Sequence, residues 1–326
     1  MPNPTDGPGP SLSTSPPPFL SAVVPPDMDG ATVIRLLRGQ LHLSRTLWRR
    51  LKQSGQVLVD GRAATGQTRL AAGARVDLIL PASTSSGMAP EPLPLDVVYE
   101  DHDVLLANKP AGQVVHPTGR HVSGTLANAV LYHWQNRGDS ATFHPLHRLD
   151  RNTSGLVLIA KHSHAHQLLD KALHRRELHR DYLAFVRGRV EQPSGTIDEP
   201  IARLEGHAIQ RGVRPDGRPA VTHYQVVQIW DGASLLRLRL DTGRTHQIRV
   251  HLAHIGHPLL GDTLYGPPDL PPPPALAPDR QALHAYRLEF PHPLRQEAME
   301  FTIPLPPDLS ALAAALEEGR VDEGRG

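Results

Sequence analysis

The run Leu156-Val157-Leu158-Ile159-Ala160 contains no polar position, and five unbroken apolar residues after a glycine predict a strand. Further strands are expected at Asp96–Tyr99, Val104–Ala107, Tyr182–Val186, Val221–Ile229 and Leu235–Leu240. The last two flank Asp231-Gly232, a turn that links them as a hairpin. Helical spacing predicts Gly124–Trp134, His164–Glu177 and His246–Ile255. In the third helix Thr245 is the expected cap, and Ile248, Leu252 and Ile255 form its apolar stripe. Strands and helices mix without strict alternation, which predicts an α+β domain on a mixed, largely antiparallel central sheet.

A second, smaller α+β unit is expected ahead of it. Ser44 can cap a helix reaching Ser54, with Gly55 as its stop. Leu47, Trp48 and Leu51 share one face of that helix, and Arg45, Arg49 and Lys52 share another. Val57–Val59 then enters a tight turn at Asp60-Gly61, and Ala74–Leu80 forms a second strand. The expected division is a disordered Pro/Ser-rich tail at 1–27, the small unit at 28–81, a linker at 82–92, the main domain at 93–308, and a helix with a charged tail at 309–326. Seven prolines among the twelve residues Pro267–Pro278 mark a surface insertion that carries no chemistry.

Composition narrows the function. The chain of 326 residues has no cysteine, which excludes disulfides, thiolate metal sites and cysteine nucleophiles. No apolar run reaches the length of about 18 residues that spans a membrane, and Met1–Pro26 lacks the positive start and apolar centre of a signal peptide. A cytoplasmic monomer without a membrane partner is expected. Net charge is only +1, yet residues 29–81 hold nine Lys/Arg against three acids, the local excess that a polyanion contact requires. Histidine is plentiful, with runs at His162, His164 and His166 and at His246, His251, His254 and His257. Gly256 and Pro258 end the helix before His257 and no carboxylate lies in the second run, so no metal site is expected.

The segment His147-Arg148-Leu149-Asp150-Arg151-Asn152-Thr153-Ser154-Gly155 leads into the apolar strand and places Asp150 on a loop at its edge. Read alone, an aspartate between two arginines describes a surface ion pair worth about 0–1 kcal/mol. Two other segments alter that reading. In Leu240–His257, Arg249 shares a helix face with His246, Ala253 and Gly256; spacing alone describes a solvated helix cation, while the small Ala253 and Gly256 leave room for a second reading in which it enters a crowded cleft. In Arg180–Val186, Tyr182 opens an apolar strand. Together the three resemble the signature motifs of RluA-type pseudouridine synthases. The likeness continues through YEDHDVLLANKPAGQVVHPTG (99–119), GTIDEPIAR (195–203), PAVTHYQVV (219–227), HPLLGDTLYG (257–266) and ALHAYRLEFPHP (282–293), in the family's order.

The resemblance implies a pseudouridine synthase fold and isomerisation of uridine in RNA without a cofactor. It implies Asp150 as the catalytic residue, Tyr182 stacked on the uracil and Arg249 paired with the aspartate. Arg148 would fill the space left by the extruded base, with His147, Thr153, Arg244 and His246 as further substrate contacts. Arg180 departs from the family's more usual lysine, and Asn152 from a common aspartate. Breaking N1–C1′ and rejoining through C5 needs a carboxylate beside an electron-poor sugar; attack on C1′ and removal of a C2′ proton both use it. Within the small unit, LSRTLWRRLKQSGQVLVDGRA resembles the RNA-binding domain shared with ribosomal protein S-four, implying RNA contacts from Arg45, Arg49 and Lys52. Large-subunit ribosomal RNA is the implied substrate and transfer RNA the alternative. A non-catalytic RNA-binding or ribosome-assembly factor is the rival class.

Overall fold

The computed structural model describes residues 18, 20–41, 43, 45–79, 88–118, 122–207, 209–266 and 278–323, in two compact units that divide after Thr84. The Pro-rich segment (all but Pro278), the expected cap Ser44 and most of the expected tail and linker lie outside these residues.

The first unit contains β1 (Leu20–Val23), α1 (Val33–Gly39), α2 (Arg45–Ser54), β2 (Gln56–Val59), β3 (Arg62–Ala63) and β4 (Arg75–Ile79), with the sheet order β1-β4-β2-β3. One boundary needs correction, and one helix end falls where expected for a different reason. The unit begins well before residue 28, because Leu20–Val23 pairs with β4 and Leu20 and Val24 are buried. Gly55 does not end α2 through a left-handed conformation. A Cβ there would lie 2.6 Å from the Ile79 carbonyl, so glycine is required by the close approach of β4. The two-faced helix is as expected: Leu47 and Leu51 are buried, while Arg45, Arg49 and Lys52 are exposed. Asp60 and Gly61, both at positive φ, make the turn between β2 and β3.

The second unit is built on a ten-stranded sheet. In chain order its elements are β5 (Val97–Glu100), β6 (Val104–Lys109), α3 (Leu126–Asn136), β7 (His144–Pro145), β8 (Ser154–Ala160), α4 (Ser163–His174), β9 (His179–Arg187), β10 (Ser194–Asp198), β11 (Ile201–Arg203), β12 (Arg211–Val213), β13 (Val221–Trp230), β14 (Ala233–Leu240), α5 (Gln247–His254), β15 (Leu283–Pro291), β16 (Ala298–Thr302) and α6 (Pro307–Glu323). The sheet order is β10-β13-β14-β9-β15-β8-β6-β5, with β16 added to β15 and β7 to β8. Among the described residues only β8 and β15 pair in parallel, so the fold is the expected α+β architecture.

β6 and β8 explain why the middle of the sheet reads as continuous apolar sequence. Leu105, Val157 and Ile159 pack with α3 and α5 through Leu126, Trp134, Ile248 and Leu252. Leu106, Leu156 and Leu158 face the other way, against Ala165 and Leu169 of α4. Tyr182 belongs to the first of these layers, so the site lies on the α5 face.

Several expected boundaries shift for local reasons. α3 begins at Leu126 because Thr125 and Asn128 form a reciprocal cap. α4 begins at Ser163, where the His162 ring accepts from the Ala165 amide. α5 starts from His246 at φ 58°, with no side-chain cap, so Thr245 does not cap it. Met88–Pro92 is not a free linker: the Asn128 amide donates to the Ala89 carbonyl, and Met88 packs on the core. The final helix begins at Pro307 and runs into the expected charged tail. Its Leu309, Leu312 and Leu316 bury against Phe185, Trp230 and Leu260.

Gly155 makes the parallel pairing possible. It lies at φ 122°, and a Cβ would overlap the Ala285 backbone. We expect Gly155→Ala to lower unfolding stability by about 3 kcal/mol, combining backbone strain with overpacking. Urea denaturation measures it, and a loss below about 1 kcal/mol would show that β8 and β15 can separate freely.

Candidate active site

The loop between β7 and β8 is anchored at both ends. Leu149 is buried in the α5-side core, while Asp150 keeps 26% of its side chain exposed. On the far side the backbone is held by cations. Lys109 Nζ donates to the carbonyls of Pro110, Gln113 and Arg151, and Arg280 Nη1 donates to Asn152. Arg280 is itself fixed by Asp308 at the start of α6. Lys109 is fully buried, and burial pulls its pKa down to about 7, with Asp150 opposing the fall. None of these supports was anticipated from the sequence, although Lys109 and Arg280 border or lie in segments that carry the family likeness.

Asp150 faces a cavity of about 790 Å³ whose lining includes His147, Arg148, Thr153, Tyr182, Arg244, His246 and Arg249. All eight expected site residues of this unit therefore meet at one cleft. Asp150 does not pair with its sequence neighbours. Arg249 Nη1 donates to its Oδ2 at 3.4 Å, and His246 Nε2 lies 4.0 Å from the same oxygen. Arg151 donates to the Gly112 carbonyl instead.

The stronger partner of Arg249 is Asp262, which accepts two bonds at 2.7 and 2.9 Å. Burial works against the Arg249 charge, and Asp262 more than offsets it. Tyr265 adds its ring face, 4.9 Å from the guanidinium carbon, and its hydroxyl meets His246 Nδ1 at 2.7 Å. The same hydroxyl accepts the Arg211 amide, so Tyr265 ties β12 to His246 at the cavity. Asp262 and Tyr265 lie within HPLLGDTLYG, and only the fold shows that they grip Arg249.

The expected substrate contacts divide by exposure. Arg148 is exposed at the cavity edge. Arg244 lines it while donating to the Pro219 carbonyl. Thr153 is 2% exposed and its hydroxyl accepts from Gln281, so it braces the loop rather than offering a free hydroxyl. His147 is buried, with its pKa lowered to about 3 by burial and by Arg180. Tyr182 is buried at the cavity wall; burial raises its pKa, and Asp150 adds to this against Arg180.

Apart from His246, members of the second histidine run serve the fold. His251 meets Thr222 and the Glu199 carbonyl, and His257 meets the Arg187 carbonyl. Two mixed clusters bring ligand-type atoms within 4.8 Å: His102, Asp103 and His162, and Asp101, Asp103 and His292. In both, a histidine Nδ1 accepts backbone N–H groups, at Ala165 for His162 and at Leu294 and Arg295 for His292. Each Nε2 therefore carries its proton and donates to aspartate, at 3.0 and 2.8 Å. These donor sets are spent on hydrogen bonds that tie α4 and the β15–β16 turn to the β5–β6 turn.

The exit of the Asp150 loop is also held by a neutral imidazole. His284 meets Ser154 Oγ and the Pro304 carbonyl, and burial lowers its pKa to about 4 from 6.5. A depressed pKa contributes stability above the unfolded value of 6.5 and loses it as pH falls towards 4. We expect His284→Gln to be less stable at pH 7 but to lose stability less steeply below pH 6.5, by about 1.4 kcal/mol per pH unit. Urea unfolding across that range tests this; an unchanged slope would assign the acid loss to other groups.

Residues 103–254 match the RNA pseudouridylate synthase family. An uncharacterized RNA pseudouridine synthase of Bacillus subtilis, YjbO, is 43% identical over 276 residues, 84% of this chain and 95% of that protein. Ribosomal large subunit pseudouridine synthase D of Pasteurella multocida is 42% identical over 255 residues, covering 75% of this chain and 78% of the relative. Among solved structures, human RNA pseudouridylate synthase domain containing 1 aligns with a TM-score of 0.54 at 28% identity, over 69% of this chain and 95% of that one. Identity at this level, over most of both chains, means common descent: the protein belongs to the RluA-type RNA pseudouridine synthases, which isomerise uridine in RNA to pseudouridine.

Proposed function

We propose that the enzyme acts on large-subunit ribosomal RNA and that the reaction takes place at Asp150, with Tyr182 against the uracil and Arg249 holding the carboxylate. The observation that carries the site assignment is the shared cavity: Asp150 lines it as a partly exposed carboxylate, Tyr182 forms its wall, and Arg249 donates to Oδ2 from one side. The reaction breaks N1–C1′, turns the base, forms C5–C1′ and moves a proton from C5 to solvent while N1 gains one. A carboxylate held beside C1′ stabilises the electron-poor sugar by either of the two routes named above.

The base must leave its stack, at a cost of a few kcal/mol. Exposed Arg148 is placed to enter the vacated space, and the Tyr182 ring offers a stacking face. Within the first unit, the exposed row Arg45, Arg49 and Lys52 supports RNA binding through phosphates. The ribosomal substrate is supported by relatives whose names specify the large subunit, among them the 42% identical Pasteurella protein.

Three measurements test this reading. Asp150→Asn is expected to abolish pseudouridine formation while leaving RNA affinity nearly intact; product formed at the wild-type rate would sink the site assignment. Asp262→Asn should lower kcat by about 10²-fold with a smaller change in KM, because Arg249 then loses the partner that aims it. Equal losses in Asp262→Asn protein and in its folded fraction would reduce Asp262 to a stability role. Finally, mapping pseudouridine in RNA from a deletion strain should show a site missing from large-subunit ribosomal RNA. A site missing only from transfer RNA would overturn the substrate while leaving the chemistry in place.

A further inference from the structure

Among the described residues, one buried guanidinium at the cavity, that of Arg180, has no counter-charge. Arg180 and Tyr182 are two residues apart on β9, so their side chains leave the same face and line the same cavity. Arg180 is 7% exposed, and its Nε is buried without a hydrogen-bond partner. Among the described residues no carboxylate lies within ion-pair distance of it. The nearby acids are otherwise engaged. Asp150 and Asp262 share Arg249, while Asp241 on the adjoining loop meets Arg176 at 3.2 Å and His223 at 3.3 Å. Gly243 on the same loop leaves room for the guanidinium, since a Cβ there would sit 3.3 Å from Nη1.

A buried cation lacking a counter-charge costs several kcal/mol, and proteins rarely keep one without a use. The surrounding groups add no anion: His147 is neutral and Tyr182 stays protonated, both through burial first. A uracil carbonyl would accept a hydrogen bond but leave the charge unbalanced. A phosphodiester supplies both the negative charge and the paired oxygens that match a guanidinium fork.

We propose that Arg180 binds a backbone phosphate of the RNA strand that carries the extruded uridine, donating N–H bonds to its non-bridging oxygens. The proposal rests on the placement of the reaction at Asp150. Arg180 thus couples insertion of the target nucleotide to relief of a charge imbalance that the empty enzyme carries.

The test uses the full chain, with Arg180→Met and Arg180→Lys beside the wild type. The substrate is total RNA labelled with [5-³H]uridine in a strain lacking the gene, so that tritium release reports replacement at C5 whichever RNA is modified. Arg180→Met is expected to raise KM by about tenfold or more, with a smaller change in kcat, and to reduce the slope of log(kcat/KM) against log[KCl] by about 0.7–0.9, the signature of one lost phosphate contact. Arg180→Lys should keep the slope. The melting temperature of free Arg180→Met should equal or exceed that of the wild type, because an uncompensated buried charge has been removed. An unchanged salt slope in Arg180→Met overturns the proposal, whatever happens to turnover. So does failure of that variant to fold, since a guanidinium needed for packing is not one held for an anion. Retained tritium release by Asp150→Asn would refute the placement of the reaction instead, and leaves the Arg180 slope readable by itself.

Discussion

The second unit is organised around the Arg249 guanidinium, which spans two carboxylates with different duties. Asp262 takes the tight bidentate bond, and Asp150 receives the longer 3.4 Å contact. This asymmetry suits a working aspartate. A carboxylate locked in a bidentate pair would be oriented but largely satisfied, whereas one touched by a single remaining N–H keeps its free oxygen edge towards the cavity. Asp262 supplies the tight grip so that Asp150 need not. Arg249 can hold this position because α5 is capped by no side chain and packs on the sheet through Ile248 and Leu252, leaving the arginine on the crowded side.

The loop bearing Asp150 is irregular backbone at a sheet edge, and its carbonyls need donors. Lys109 and Arg280 meet this need from two directions. Each is a long cation brought to the carbonyls of Arg151 and Asn152 by an element distant in sequence. Arg280 depends in turn on Asp308, so the last helix supports the loop although it lies some 150 residues further along the chain. The same cations raise the local potential, which favours a polyanionic substrate. Positioning and electrostatics are therefore served by the same side chains.

Legibility in the sequence followed the range of the interaction. β8 could be read from its apolar run because both faces are buried by α3, α5 and α4, and the β13–β14 hairpin from Asp231-Gly232 because a turn is a local event. The pairing of Leu20–Val23 with β4 was not readable: four residues behind a proline-rich segment carry no period, and their order comes from a partner more than 50 residues away. Thr245 looked like a cap because its residue type favours that role, but Gln247 takes the backbone of Arg244 and the hydroxyl of Thr242, and His246 absorbs the bend at positive φ. At the site, residue identities were legible through motif likeness, whereas partners were not. Asp262 and Lys109 are ordinary residues until folding places them against Arg249 and Arg151.

The site also shows which costs the fold carries for activity. Lys109 is fully buried, His246 lies at φ 58° and Arg180 has no counter-ion among the described residues, each a local penalty of a kind that packed cores normally avoid. They are tolerable because β6, β8 and β9 are anchored by large apolar layers, most of whose residues lie away from the cavity. Gly155 joins the two demands at one point. Its missing Cβ lets β15 approach β8, and that contact brings Gln281 and His284 to Thr153 and Ser154, closing the loop that presents Asp150. A carboxylate five residues from a strand crossing thus inherits the rigidity of the sheet while keeping one face open to the substrate.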